Sequence, residues 1–244
     1  MINKDFHWFI GVVVTDPATD PSKAGYVQVR NIFEQSATEN ATDISGKKTI
    51  VPDKDLPWAR VMMPITSAST NGIGVSPIGL KKGTQVLCFY QDSPNKNLPI
   101  VLGALPNIES ISDIAKGVGP VSKQFLEPTE PKSPYAAQYG YNQTITTTRG
   151  HVIELDDTPK AERIHIYHRN GSYIEMDPDG NIITRAQGES REIVGKKKII
   201  FTAEGNISII ADTGDIIINA DGNINLQSTR GTVNIRAAVI GINA

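Results

Sequence analysis

The sequence predicts an all-β protein with an N-terminal five-stranded barrel, a proline-rich linker and a C-terminal β-helix in which three chains intertwine as a triangular prism. Two observations support this fold class. Short β-rich runs separated by turn residues fill the N-terminal part, and a glycine-anchored repeat fills the C-terminal part. The predicted boundaries are residues 1–106 for the barrel, 107–143 for the linker and 144–244 for the needle-like β-helix.

The barrel is predicted from runs rich in Val, Ile, Phe and Tyr that turn residues interrupt. The runs are Trp8–Val14, Tyr26–Ile32, Trp58–Pro64, Gln85–Tyr90 and Pro99–Leu102. Five short strands in about a hundred residues fit a small closed barrel, most commonly of the OB type. The polar stretch 33–57 is predicted to be a long loop of that barrel.

Composition and charge exclude several classes of function. Lys and Arg number 24 against 26 Asp and Glu, so the formal charge of −2 gives no reason to expect nucleic acid as a partner. The one cysteine, Cys88, lies in an apolar run and is predicted to be buried, with no partner for an intramolecular disulfide. The N-terminus lacks the pattern of a signal peptide, and no stretch is apolar enough to cross a membrane. Synthesis in the cytoplasm is therefore expected.

Residues 107–143 differ in composition from the two parts that they join. Prolines punctuate the segment at Pro120, Pro128, Pro131 and Pro134. One weak helical pattern, Ile108–Lys116, precedes them. The segment is therefore predicted to be a linker, too short for a further enzymatic domain.

The C-terminal part repeats a unit of eight or nine residues that begins at a glycine. Two large apolar residues and one small residue follow each glycine at alternate positions, as in a β-strand with one apolar face. The large residues of the four clearest units are Ile207, Ile209, Ile216, Ile218, Ile224, Leu226, Val233 and Ile235. The corner glycines are Gly180, Gly205, Gly214, Gly222 and Gly231, where a positive φ or a close backbone approach favours glycine.

A strand with a single apolar face cannot bury that face alone, so the repeat requires further strands around it. Three identical chains, each contributing one face at every level, enclose a narrow core without a long lateral edge. The eight large residues are therefore predicted to line the core of a homotrimer. A single-chain β-solenoid is an alternative, although four units make little more than one of its turns. A calcium-binding β-roll is a weaker alternative, because its G-G-x-G-x-D corners are absent.

Residues 149–182 resemble the start of the β-helix in central spike proteins of contractile-tailed phages and in VgrG-type spikes of secretion systems and phage-like injection particles. Upstream, the phrase Pro-Ile-Val-Leu-Gly-Ala-Leu at 99–105 is similar to the final strand of that family's OB domain. Together with the glycine repeat, the resemblance covers nearly the whole chain. It identifies a candidate member of this family of trimeric spikes.

The resemblance implies a structural protein of a virion baseplate, a tailocin or a related injection particle, made in the host cytoplasm. Its OB domain would sit on a baseplate hub protein at the N-terminal end, and its β-helix would point at the target cell envelope. Contraction of a sheath would drive the spike through the outer membrane. T-even phage spikes carry a lysozyme domain between barrel and needle, whereas this sequence has only the linker there. The chain is therefore not expected to be an enzyme.

The C-terminal residues imply a further partner by the same resemblance. Some relatives end in an apex that holds iron through a His-x-His pair, but all four histidines of this chain lie before residue 170. The end of the chain is instead apolar, as in spikes that a separate PAAR-type tip protein caps. Contact with such a protein is implied for Val239, Ile240 and Ile242, and no metal or cofactor is expected in this chain.

Two groups of side chains have the composition of a binding site but a simpler interpretation. His165 and His168 would lie on opposite faces of a strand, so we interpret them as surface or corner residues rather than a metal pair. The run Lys196–Lys198 lacks interleaved aromatic residues and is interpreted as solvated surface rather than a nucleic-acid site.

Three carboxylates, Glu154, Asp156 and Asp157, suggest the paired acids of a glycosidase, but a solvated strand end is the preferred interpretation. No nucleophile elbow, P-loop or H-E-x-x-H motif is present, and no catalytic residue is assigned. Two other functions remain as alternatives to the spike. One is a β-helical polysaccharide-degrading enzyme, and the other is an OB-type module that binds a glycan or nucleic acid.

Overall fold

The computed structural model describes residues 7–16, 21–37, 49–65, 67, 70, 79–93, 95–106, 108–119, 132–238 and 240. The chain divides into two units, Met1–Ser190 and Arg191–Ala244. The first unit contains all the assigned strands. In chain order they are β1 (His7–Val13), β2 (Tyr26–Asn31), β3 (Gln35–Ser36), β4 (Thr49–Ile50), β5 (Trp58–Val61), β6 (Gln85–Tyr90), β7 (Pro99–Ala104), β8 (Asn142–Thr146), β9 (Val152–Asp156), β10 (Arg163–Tyr167), β11 (Tyr173–Met176) and β12 (Ile182–Arg185).

Five strands close into a barrel in the order β1-β2-β5-β7-β6. Each strand coincides with one of the five predicted runs, so the OB-like barrel is confirmed. The longest pairing joins β1 and β6 antiparallel, from His7 opposite Tyr90 to Val12 opposite Gln85. The barrel closes through the parallel pair β5 and β7, which joins strands that the sequence separates.

The barrel core consists of apolar side chains that point inward at alternate positions. Its buried members are Phe9, Val13, Val27, Val29, Ala59, Val86, Cys88, Tyr90 and Val101. Cys88 is fully buried as predicted, and burial raises the pKa of its thiol to about 12. Gly11 allows β1 to approach β2, because a Cβ at this position would lie 2.2 Å from Val29 Cγ1.

The predicted loop 33–57 contains short regular elements where it is described. Strands β3 and β4 pair in parallel, and a 3₁₀ turn follows at Asp53–Asp55. Arg30 on β2 forms an ion pair with Asp53 and donates a hydrogen bond to the Val51 carbonyl (2.7 Å). These contacts hold the end of the loop against the barrel.

A second sheet of five antiparallel strands follows the barrel, in the order β12-β11-β10-β9-β8. The prediction assigned residues from 144 onward to strands shared among chains. In the structure these five strands pair with their sequence neighbours in one chain, because short turns reverse the chain after each strand. Gly150, Gly171 and Gly180 occupy these turns with positive φ angles of 84°, 95° and 82°.

The segment between barrel and sheet contains the helix α1 (Ile108–Ala115), which the sequence pattern predicted. Thr144 Oγ1 on β8 donates a hydrogen bond to the Ile114 carbonyl (2.8 Å), and Asn142 Nδ2 donates one to the Ala115 carbonyl (2.9 Å). The end of the helix therefore binds to the second sheet. No helix in the described parts of the chain has the length and apolar character needed to cross a membrane.

In the second unit, the structure assigns no strand to residues 191–238, and all of these residues are exposed in the single chain. Their pattern of apolar residues at alternate positions is nevertheless that of strands.

Candidate assembly faces of the C-terminal part

The second sheet exposes one apolar face. Strand register places its large side chains in two rows across the five strands. One row contains Leu155, Ile164, Met176 and Ile182, and the other contains Ile145, Ile153, Ile166 and Ile174. Between 40% and 69% of each residue is exposed in the single chain. We call these eight residues the apolar face. A soluble protein rarely leaves so many aligned apolar side chains uncovered, so the face is a candidate assembly surface.

The opposite face of the same sheet is polar and buried. Register places His165 on β10 between Glu154 on β9 and Glu175 on β11. Arg163 donates from Nη2 to Glu154 Oε2 (2.9 Å) and from Nη1 to Glu175 Oε2 (3.0 Å). We call Glu154, Arg163, His165 and Glu175 the ionic cluster. Because all four side chains are at least 97% buried, the charges of Arg163 and its two carboxylate partners are held with little screening by solvent.

The ionic cluster binds two chain segments, residues 115–119 and 133–138, which we call the covering segments. Arg163 Nη2 donates to the Val118 carbonyl (2.7 Å), and Arg163 Nη1 donates to Ser133 Oγ (2.9 Å). The guanidinium carbon of Arg163 also lies 4.8 Å from the centre of the Tyr135 ring. The covering segments thus shield one face of the sheet, whereas the described residues of the first unit leave the apolar face uncovered.

The environment of Glu154 stabilises its charged form. Burial alone would raise the pKa of this carboxyl group, but the neighbouring His165, Arg163 and Asn142 side chains hold the pKa below its usual value. The stabilisation of the fold by this carboxylate is present above the unfolded-state pKa. It is lost as the pH falls through the lowered pKa of the folded state.

Gly117 allows a covering segment to approach Glu154, and its substitution tests this contact. Its φ is +58°, and a Cβ there would lie 2.1 Å from Glu154 Oε1. We expect Gly117→Ala to destabilise the first unit by about 1–3 kcal/mol, because Arg163 and Asn142 fix the carboxylate against which the methyl group would clash. Denaturant unfolding followed by tryptophan fluorescence would measure the change.

Gly140→Ala is the matched control for this substitution. Gly140 also has a positive φ, of +94°, but nothing lies within 4 Å of the added Cβ. If both variants lose the same stability, the loss comes from backbone strain alone and the proposed clash with Glu154 is wrong.

The structure corrects the interpretation of the carboxylates at 154–157. Glu154 and Asp156 are buried rather than solvated, and only Asp157 is exposed. The reason is the direction of the alternation: the charged positions of β9 and β10 lie on the buried side, together with Val152, and the isoleucine and leucine positions face solvent. Glu154 forms an ion pair with Arg163. It is therefore not available as one of the two accessible carboxylates that a glycosidase needs.

The two histidines occupy different environments. His165 is buried in the ionic cluster, so its interpretation as a surface or corner residue is wrong. His168 is exposed in the turn after β10, where its ring lies 4.5 Å from that of His151. Within the described residues, no three side chains of His, Cys, Asp or Glu converge as metal ligands. The Lys196–Lys198 run is exposed in the single chain, like every residue from 191 to 238.

The structure also locates the residues predicted for the trimer core. The eight large residues, Ile207 to Ile235, are exposed by 50–69% in the single chain. Gly205 and Gly214 have positive φ angles of 86° and 108°, whereas those of Gly222 and Gly231 lie outside this region. Of the predicted tip contacts, Ile240 is 53% exposed, and Val239 and Ile242 lie outside the described residues.

The sequence interpretation missed the apolar face, apart from Ile182 in the Gly180 unit. The signal was present in the alternation of Val152–Asp156 and Arg163–Tyr167, where isoleucine and leucine alternate with charged residues. This alternation does not indicate which face of the strands the rest of the chain covers. In the structure the charged face is covered.

Comparison with known proteins gives one family match. The family model described as the Gp5 N-terminal OB domain matches residues 38–191, which is more than half of the chain. Its range includes part of the barrel and all of the second sheet.

Two relatives are similar over parts of their length. Protein Gp5 of Vibrio phage KVP40 is 30% identical over 265 aligned positions, which cover 80% of this chain and 61% of that protein. The pre-baseplate central spike protein Gp5 of Enterobacteria phage T4 is 38% identical over 108 positions, which cover 44% of this chain and 18% of that protein. The matched regions therefore span less than two thirds of either relative.

Proposed function

Because the chain belongs to the family of the Gp5 N-terminal OB domain, we propose that three copies form the central spike of a phage or phage-like baseplate. The barrel and second sheet of each copy would form the broad end, and the repeat would form the shaft. The observation that carries this proposal is the presence of two apolar surfaces, in separate units, that one chain does not cover.

The apolar face supports assembly with identical copies. Its two rows of large side chains would meet the corresponding rows of two other copies around a three-fold axis. Burial of apolar surface contributes about 25 cal/mol per Å², so eight side chains per copy supply a substantial driving force. The covering segments already occupy the other face, which leaves this one for the partner copies.

The repeat gives a second reason to expect assembly with identical copies. Residues 191–238 carry the strand pattern, yet the structure assigns them no strand in one chain. Backbone N–H and C=O groups are rarely buried without partners, so the isoleucines can be enclosed only if neighbouring strands come from elsewhere. Two sister chains supply those strands and enclose Ile207, Ile218 and their equivalents.

The mechanical role follows from the proposed assembly. Continuous strand pairing along an axis makes a stiff shaft, which suits a spike that sheath contraction pushes through an outer membrane. We place a hub protein at the barrel end and a PAAR-like protein at the Val239–Ile242 end. The chain acts without enzymatic activity in this proposal, because Glu154 and Asp156 are buried and Glu154 is paired with Arg163, which leaves only Asp157 of the three carboxylates exposed.

The location can be tested in the particles that the parent genome encodes. An antibody against the barrel should label the baseplate end of intact particles in negative-stain electron microscopy, with the same antibody on particles lacking the chain as the control. Label distributed along the tail tube or absent from purified particles would contradict the proposal.

A further inference from the structure

The second sheet carries opposite charges at the two ends of its strands. We call each end, with the turns that lie there, an edge of the sheet. Strand direction alternates in an antiparallel sheet, so successive turns lie at opposite ends of the strands. The β8–β9 turn (147–151) and the β10–β11 turn (168–172) share one edge. The β9–β10 turn (157–162) and the β11–β12 turn (177–181) share the other. The two edges are separated by the strand length, about 17 Å for five residues.

One edge is acidic. Its two turns contain four carboxylates, Asp157, Glu162, Asp177 and Asp179, against one lysine, Lys160, so the edge has a net charge of −3. Asp177 is half-buried by its bonds to Asn181, and the other charged side chains are exposed. We call this the acidic edge.

The other edge is basic. Its two turns contain Arg149, His151, His168 and Arg169 and no carboxylate. The turns lie side by side, because a Cβ on Gly150 would lie 3.8 Å from Arg169 Cβ, and the two histidine rings are 4.5 Å apart. We call the pair of turns the basic edge.

We propose that the acidic edge of each copy binds the basic edge of the next copy, and that this pairing closes the ring of three. The inference rests on the proposed trimer and adds which surfaces meet. A cyclic trimer joins two different patches at every interface, so complementary edges satisfy all three interfaces at once. Pairing of like edges would place charges of the same sign together.

A groove at the acidic edge has the composition needed for an arginine side chain. Its volume is about 460 Å³, and it is lined by Asp157, Glu162 and Asp177 beside Leu155, Ile164 and Met176 of the apolar face. Arg163 also lines the groove, but its guanidinium group is already paired with Glu154 and Glu175. The aliphatic stem of an arginine can cover such an apolar floor while its guanidinium group binds the carboxylates. Arg149 and Arg169 of the neighbouring copy are the side chains that we assign to this groove.

Charge reversal of one edge, followed by reversal of both, tests the pairing. The first variant carries Arg149→Glu and Arg169→Glu, and the second carries Asp157→Arg and Asp179→Arg. We expect each to assemble roughly tenfold more slowly than the wild type after dilution from denaturant at low ionic strength, because steering between opposite charges is lost. The variant with all four substitutions should regain a rate within about twofold of the wild type. Light scattering measures these rates.

A matched control separates edge pairing from net charge. Lys81→Glu with Lys82→Glu makes the same change in net charge as the Arg149→Glu and Arg169→Glu variant, but in an exposed turn of the barrel, and it should assemble at the wild-type rate. Wild-type rates in both one-edge variants, or failure of the four-substitution variant to recover, would overturn the pairing. Absence of a trimer in the wild type would instead overturn the proposed function.

Discussion

Ile218→Asp is expected to abolish assembly of the shaft. Ile218 belongs to the repeat and is 64% exposed in the single chain, and the proposed trimer would bury all three copies of it near one axis. Each buried, unpaired carboxylate costs about 3–5 kcal/mol, and the three copies act on one assembly. Chemical cross-linking followed by denaturing electrophoresis should show the trimer band of the wild type and its loss in the variant.

Ile217→Asp is the matched control, because it introduces the same side chain one residue earlier. Residues at adjacent positions of a strand point to opposite faces, so position 217 faces away from the proposed core. This variant should retain the trimer band. Equal loss of the band in both variants would show that the inward assignment of Ile218 is wrong.

Arg163→Ala is expected to release the covering segments from the second sheet. The substitution leaves Glu154 and Glu175 buried without their shared cation, which costs about 3–5 kcal/mol. It also removes the bonds to Val118 and Ser133. Hydrogen exchange should show a large loss of protection at residues 115–119 and 133–138, because their opening depends on these contacts.

Lys116→Ala provides the control for that experiment. Lys116 lies in a covering segment and pairs with Asp113, but both side chains are exposed. Surface pairs of this kind contribute little to stability, so protection should not change. If Arg163→Ala also leaves protection unchanged, the ionic cluster does not hold the covering segments in place.

The barrel could be predicted closely from the sequence because its strands follow a simple rule. The apolar residues of β1, β6 and β7 are consecutive or alternate with other residues, and turn residues precede and follow each strand. The local sequence pattern therefore agrees with the final fold. The closure of β5 on β7 in parallel depends on contacts between distant segments, and periodicity alone does not encode it.

The second sheet shows the limit of reasoning from periodicity. The sequence around Glu154 and Arg163 indicates a strand with one charged and one apolar face, and such strands normally bury the apolar face. Here Arg163 forms ion pairs with two buried carboxylates and binds the covering segments, so the charged face is inside the chain. That outcome depends on the hydrogen bonds of Arg163 to Glu154 and Val118. These residues precede Arg163 by 9 and 45 positions, so a local sequence pattern does not reveal the bonds.

The mass of the protein in solution decides whether three copies share the proposed core. Sedimentation equilibrium gives a mass that does not depend on molecular shape, which suits an elongated particle. We expect a single species of three times the 26.4 kDa chain mass, stable to dilution. A species of one chain mass across the same concentrations would contradict the shared core of isoleucines.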